Sequence, residues 1–279
     1  MWSLRFPFSF SLPQPPQFSR PFSAFAAAAT AGATAAFVAV SSSSHDRPFL
    51  RNFIFSSDHS LPLWGSLSMA DDCIPTVESK NGASFPSALG SSLKLCGIGV
   101  RKKSIFGLKN IDVYEFGVYV DDTDIKNYLS EKYGELSISQ LKGNKEFTED
   151  VLENDISMKI KLQIVYGKLS IRSVRNAFEE TVGSRLKKYE GSDNKELLQR
   201  FTSQFKDEFK IPRGSVIDLS REKGHVLRTS IDGQEVGTIQ SKLLCRSILD
   251  LYIGEQPFDK QAKEDIEFNM ASYLREIDC

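Results

Sequence analysis

The 279-residue chain is poor in the residues from which most active sites are built. Of its three histidines, His45, His59 and His225, only His225 lies beyond residue 70. Its four cysteines, Cys73, Cys96, Cys245 and Cys279, include no C-x-x-C pair. Zinc needs several such ligands at close spacing, so a structural zinc is excluded. One histidine, predicted on a hairpin and read as a surface residue, is thin material for a Ser-His or Cys-His pair. There is no G-x-x-x-x-G-K-[ST], no H-E-x-x-H and no G-x-S-x-G. Gly97-Ile98-Gly99 leads into a strand and not a helix, which removes the dinucleotide reading. A formal net charge of −1 excludes a strongly basic nucleic-acid binder. Long apolar runs are also missing. Ala24 to Val40 is uncharged but mostly Ala with Thr and Gly, weaker than the ~20 strongly apolar residues that a membrane span requires. No N-x-S/T sequon is present, which weighs against the secretory route.

What is present divides into two parts. Residues 1–70 hold four Arg, no Lys and two Asp, with fourteen Ser and ten of the twenty Phe. Ser-rich, Arg-bearing and acid-poor composition is that of an organelle transit peptide. Prolines at 7, 13, 15, 16 and 21 forbid the amphipathic helix of a mitochondrial presequence, so a plastid is the expected destination. Residues 71–88 mix acid, Pro, Ser, Gly and Asn and read as a linker or frayed mature N-terminus. Residues 89–279 are expected to form one folded domain.

In that domain, Leu93 to Lys103 and Ile111 to Asp121 read as strands. A short helix over Ile125 to Tyr133 and a charged, broken helical pattern over Ser137 to Leu152 follow. Ser157 to Val165 alternates apolar with Lys and Gln, a strand with one wet face. From Ser170 to Tyr189 the period becomes helical, with Val174, Ala177, Phe178, Val182 and Leu186 on one stripe. Asn194 to Lys210 reads as a second helix. Three short strands come next, with Asp232-Gly233 as a hairpin turn. A helix over Lys242 to Tyr252, capped by Ser241 and stopped by Gly254, precedes a last helix over Lys260 to Ile277. Grouped strands with short loops predict α+β with antiparallel pairing. Cys96 and Cys245, in apolar runs, are expected as buried thiols.

Polar residues on faces that should be apolar are the candidates for chemistry. Alternation places Arg101 on the parity of Leu93 and Leu95, with Gly97 and Gly99 leaving room beside it. It places Tyr114 on the face of Phe116, Val118 and Val120. Thr181 falls among inward helix positions. A cation, a phenol and a hydroxyl of this kind could converge on one anion. Equally, Arg101 could end a strand in water beside Lys102 and Lys103, Tyr114 could snorkel, and Thr181 could bond back to its own helix.

Gly97-Ile98-Gly99-Val100-Arg101, followed by Glu115 to Asp121, resembles the N-terminal signature of the chalcone isomerase family. Gly167-Lys168, Pro212-Arg213-Gly214-Ser215 and Lys242-Leu243-Leu244 running to Ile253-Gly254 match later signatures in order. The resemblance spans residues 90–277. It implies the chalcone isomerase fold, an open-faced β-sandwich with a large antiparallel sheet covered by helices and a ligand cleft between them. Of the catalytic set only Arg101 remains. Tyr114, Ser170, Ala177 and Leu251-Tyr252 replace the other positions.

Arginine plus tyrosine over an apolar floor resembles the non-catalytic branch, the plant chloroplast fatty-acid-binding proteins. That likeness implies a carboxylate held by Arg101, Tyr114 and Thr181. Phe116, Ala177, Phe178, Leu251 and Tyr252 would line the cleft. The expected ligand is a free long-chain fatty acid and the expected compartment the plastid stroma. No cofactor, metal or nucleic acid and no stable membrane insertion of the mature form is implied. The competing readings are a residual isomerase closing a chalcone to a flavanone, and a non-catalytic interaction protein of the flavonoid pathway.

Overall fold

A computed structural model describes residues 75–105, 109–190 and 194–275. The segment read as a transit peptide, including Ala24–Val40, lies outside the described residues. Three short strands come first: β1 (Thr76–Glu78), β2 (Ser84–Pro86) and β3 (Ala88–Leu89). Two long strands, β4 (Leu93–Ile105) and β5 (Lys109–Asp121), follow. Helices α1 (Asp122–Tyr133), α2 (Ile138–Leu141) and α3 (Lys145–Glu153) lead to β6 (Met158–Ile164). Then come α4 (Ile171–Glu190), α5 (Lys195–Thr202), β7 (Val216–Glu222), β8 (Val226–Ile231), β9 (Gln234–Gln240), α6 (Lys242–Ile253) and α7 (Lys260–Tyr273).

β3 to β9 form one antiparallel sheet whose spatial order is the chain order, so the fold is α+β as the grouped strands imply. Helices cover one face. α7 packs on β4, α4 packs on α6, and α6 also meets β8. The core lies between that face and the helices. β6 shows the logic in small: Met158, Ile160, Leu162 and Ile164 point inward and are buried, while the residues between them are half-buried. Asp232 and Gly233 both take positive φ, 48° and 81°, the backbone that a two-residue hairpin turn demands. Ser241 caps α6 by accepting the Leu244 N–H. Gly254 ends α6 with φ at −71°, so its need for glycine is space: a Cβ there would run into Asp250.

Two departures from the sequence reading have physical causes. The helix expected over Asn194 to Lys210 stops at Thr202. Beyond it the chain turns so that Phe205 joins Phe178 and Phe201 in an aromatic cluster, with centroids 5.1–5.4 Å apart. The Arg175 guanidinium donates twice to the freed Phe205 carbonyl, at 2.6 and 3.0 Å. The second departure is residues 76–88, which are paired and not a linker. β1 and β2 form a hairpin, and Phe85 at its end is fully buried over Gly117 on the outer face of the sheet. Asn81 and Ser79 bond the buried Glu115 beneath them. One aromatic anchor outweighs a loop-like composition.

Arg221 is a buried cation with a structural task. It donates to the carbonyls of Ile156, Leu152 and Val151, at 2.6, 3.0 and 3.0 Å, and so satisfies the C-terminal end of α3. Burial pulls its pKa down to about 10. Cys96 and Cys245 are buried free thiols, as expected. Among the described residues no helix is long and apolar enough to cross a membrane.

Candidate functional site

The site begins at a pair of residues facing each other across two strands. Arg101 on β4 stands directly opposite Tyr114 on β5, and Gly99 opposite Phe116. The pairing slips by one residue at Cys96 and again just past Arg101. The first slip reverses the parity of β4. Leu95 therefore turns to the outer face, where it lies with Phe85 against Gly117. Arg101 shares the helix-covered face with Gly97 and Gly99, and not with Leu95 as plain alternation suggests. Bulges re-aim side chains in this way.

The room beside the two glycines is occupied by α7. A Cβ on Gly97 would lie 2.7 Å from the Ile266 side chain, and one on Gly99 would lie 2.4 Å from Phe116 and 2.6 Å from Ala262. The glycines let a helix lie flush on the sheet next to Arg101.

The end of α6 supplies the rest. Tyr252 is fully buried, and its hydroxyl sits 3.4 Å from that of Tyr114. Its ring meets Phe116 edge-on at 4.9 Å and Phe258 at 5.5 Å. Phe258 lies under the Arg101 guanidinium, whose Cζ is 3.8 Å from the ring centroid. Arg101, partly buried, has no hydrogen-bond or ion-pair partner among the described residues. Burial pushes the Tyr114 phenol up to about 12, against the pull of the Tyr252 hydrogen bond and Arg101. Burial, with Tyr114 beside it, raises Tyr252 well above an ordinary phenol. Both phenols are neutral at physiological pH and keep an O–H to donate. The result is one cation without an ion-pair partner among the described residues and two phenols over an apolar floor, donors of the kind that could bond an anionic oxygen group.

Of the residues singled out from sequence, the structure joins Arg101, Tyr114, Phe116 and Tyr252. Leu251 is buried beside them in the same apolar cluster, which also contains Phe178. Phe178 makes its ring contacts with Phe201 and Phe205. Ala177 is exposed and does not line a cleft in this state. The Thr181 hydroxyl donates back to the Ala177 carbonyl at 2.7 Å, and its described contacts do not include Arg101 or Tyr114. Tyr252, assigned from sequence to the lining alone, brings its hydroxyl to that of Tyr114, which Thr181 does not do in this structure. A tyrosine on the buried stripe of α6 was a usable signal, the same one that marked Tyr114. Phe258 carried none, because it sits in an irregular segment between two helices.

His225, half-buried in the β7–β8 turn at φ 54°, gives its backbone N–H to Asp155. A cleft of about 420 Å³ opens elsewhere, between α4 and α5. Its charges are mixed, and its Arg175 is already held by Asp207 and the Phe205 carbonyl.

Comparison with known proteins identifies the family and the fold. The chain is 56% identical over 280 residues to fatty-acid-binding protein 1 of Arabidopsis thaliana, covering 98% of each. It is 33% identical to chalcone isomerase-like protein 1 of Humulus lupulus, over 70% of this chain and 91% of that one. A crystal structure of an Arabidopsis thaliana fatty-acid binding protein matches with a TM-score of 0.70 and 60% identity, covering 72% of this chain and all of the other. The helix-covered antiparallel sheet is thus the fold expected from the sequence. The chalcone isomerase-like family model matches residues 91–267, and the chain belongs to that family.

Proposed function

We propose that this protein binds free long-chain fatty acids without transforming them, with the carboxylate held by Arg101, Tyr114 and Tyr252. The observation that carries the reading is the Arg101 guanidinium, which is partly buried and has no carboxylate partner among the described residues. Two neutral phenols stand within reach of the same point. Phe116, Leu251 and Phe178 belong to the packed apolar core that adjoins Tyr114, so on this reading an acyl chain would enter by displacing that packing. The relatives named as fatty-acid-binding proteins support the ligand class. The composition of residues 1–70 supports a plastid stroma location.

A charge-assisted bond to a carboxylate contributes about 1.5–3 kcal/mol, so Arg101→Ala should weaken binding about 10- to 150-fold. Tyr114→Phe and Tyr252→Phe should each cost about 2- to 10-fold at about 0.5–1.5 kcal/mol per neutral hydrogen bond. Calorimetric titration with saturated fatty acids measures all three. Wild-type affinity in Arg101→Ala and Tyr114→Phe would remove the clamp. Mixing the protein with a chalcone tests the enzymatic alternative: loss of the yellow colour above the spontaneous rate would show catalysis.

A further inference from the structure

Arg101 is flanked by Lys102 and Lys103, both exposed on the same strand. An arginine in that position gains hydration by swinging out beside them. It does not, and the reason lies in six residues between α6 and α7. Gly254 to Asp259 is tied down along its length. The Gly254 carbonyl accepts from Lys263 Nζ at 2.9 Å, and the Gln256 carbonyl from Arg185 at 2.7 Å. The Phe258 N–H donates to the Leu251 carbonyl at 2.8 Å. Asp259 accepts the Val100 N–H at 3.1 Å, which fastens the strap to β4 one residue before Arg101. Arg185 is itself paired with the fully buried Asp250. The product of these ties is the position of one ring, Phe258, whose centroid lies 3.8 Å from the Arg101 Cζ, while Tyr252 backs it edge-on at 82°.

We propose that Phe258 is a positioning residue for ligand recognition: its ring holds the Arg101 guanidinium in place, so that the N–H edge is aimed at the incoming carboxylate before binding. The inference rests on the carboxylate-clamp reading above. Stacking uses the face of the guanidinium and leaves its in-plane donors free, which suits bidentate carboxylate recognition. It also offsets part of the desolvation of a cation that has no ion-pair partner among the described residues. A pre-positioned fork loses less freedom on binding.

The test is calorimetric titration of the full chain with a saturated fatty acid and with the alcohol of equal chain length. Phe258→Leu keeps an apolar side chain and removes the π face; Phe258→Tyr restores it. A cation–π contact of about 0.5–2 kcal/mol corresponds to about a 2- to 30-fold loss of fatty-acid affinity. The expected result is that loss in Phe258→Leu, unchanged alcohol binding, and recovery in Phe258→Tyr. In an Arg101→Ala background, Phe258→Leu should have no further effect on the acid. Equal weakening of acid and alcohol in Phe258→Leu overturns the proposal, because Phe258 would then only line the cleft. Wild-type acid affinity in Phe258→Leu overturns it as well. A wild-type protein that does not distinguish acid from alcohol refutes the clamp itself, and the role of Phe258 with it.

Discussion

Gly99→Ala should destabilise the protein and blunt its ligand site together, although it adds one methyl group. The new Cβ would stand 2.4 Å from Phe116 Cζ and 2.6 Å from Ala262 Cβ, against an ordinary contact of 3.4–4 Å. Its neighbours must therefore retreat by about 1 Å, and both are already almost completely buried. Overpacking of this kind costs about 1–3 kcal/mol. Replacing glycine by alanine returns about 0.4–1 kcal/mol by restricting the unfolded chain, since no positive φ is required here. The net loss lies between about 0 and 2.6 kcal/mol with a midpoint of about 1.3 kcal/mol, or about 3–5 °C in Tm at that midpoint for a domain of this size. The displaced Phe116 ring pushes on Tyr252, its edge-on neighbour at 4.9 Å, so fatty-acid affinity should fall as well. Thermal denaturation followed by far-ultraviolet circular dichroism, with titration of the folded variant, measures both effects. Gly167→Ala is the control: its nearest contact would be Arg213 Cβ at 3.9 Å, and it should stay within about 0.5 kcal/mol of wild type. A Gly99→Ala protein that melts at or above wild type would refute the close seating of α7 on β4.

Alkaline pH should destabilise the protein through its buried phenols. Tyr114 ionises at 10.0 in the unfolded chain but at about 12 in the folded state, where burial raises it. The folded state thus holds a proton that the unfolded chain releases, and the associated stability, complete below pH 10, is lost as pH rises towards 12. Tyr114→Phe should show a shallower loss in urea denaturation across that window, by at most about 1.4 kcal/mol per pH unit; identical slopes would contradict the burial of this phenol. Residues 1–70 fused to a fluorescent reporter should deliver it to isolated chloroplasts and be shortened there. A reporter left outside, at full length, would dispose of the plastid assignment.

Strand and helix periods, the Asp232-Gly233 turn and the Ser241 cap are local properties, and they were legible because local sterics and hydrogen bonding determine them. The α+β class followed from their order. Arg101 reaches the inward face by a bulge that breaks its parity with Leu93 and Leu95, whereas Tyr114 was legible for the same reason, a polar group interrupting an apolar alternation. The end of α5 was not, because Phe205 turns inward to meet Phe178 from another helix. Nor was the ordering of residues 76–86, which depends on Phe85 finding Gly117 across the sheet. The bulge at Cys96 reversed the face of β4, and nothing in the residues around it announces a ladder slip that only the partner strand defines.

The sequence by itself determined most of the secondary elements of the folded domain, their antiparallel class, and the presence of a phenol on an inward face. Those depend on contacts a few residues apart. Tertiary structure alone decided that the Tyr252 hydroxyl meets that of Tyr114, and that Phe258 underlies Arg101. Each depends on the path of α6 and the strap beyond it over β4 and β5, an approach in space between residues more than 130 positions apart that no periodicity encodes.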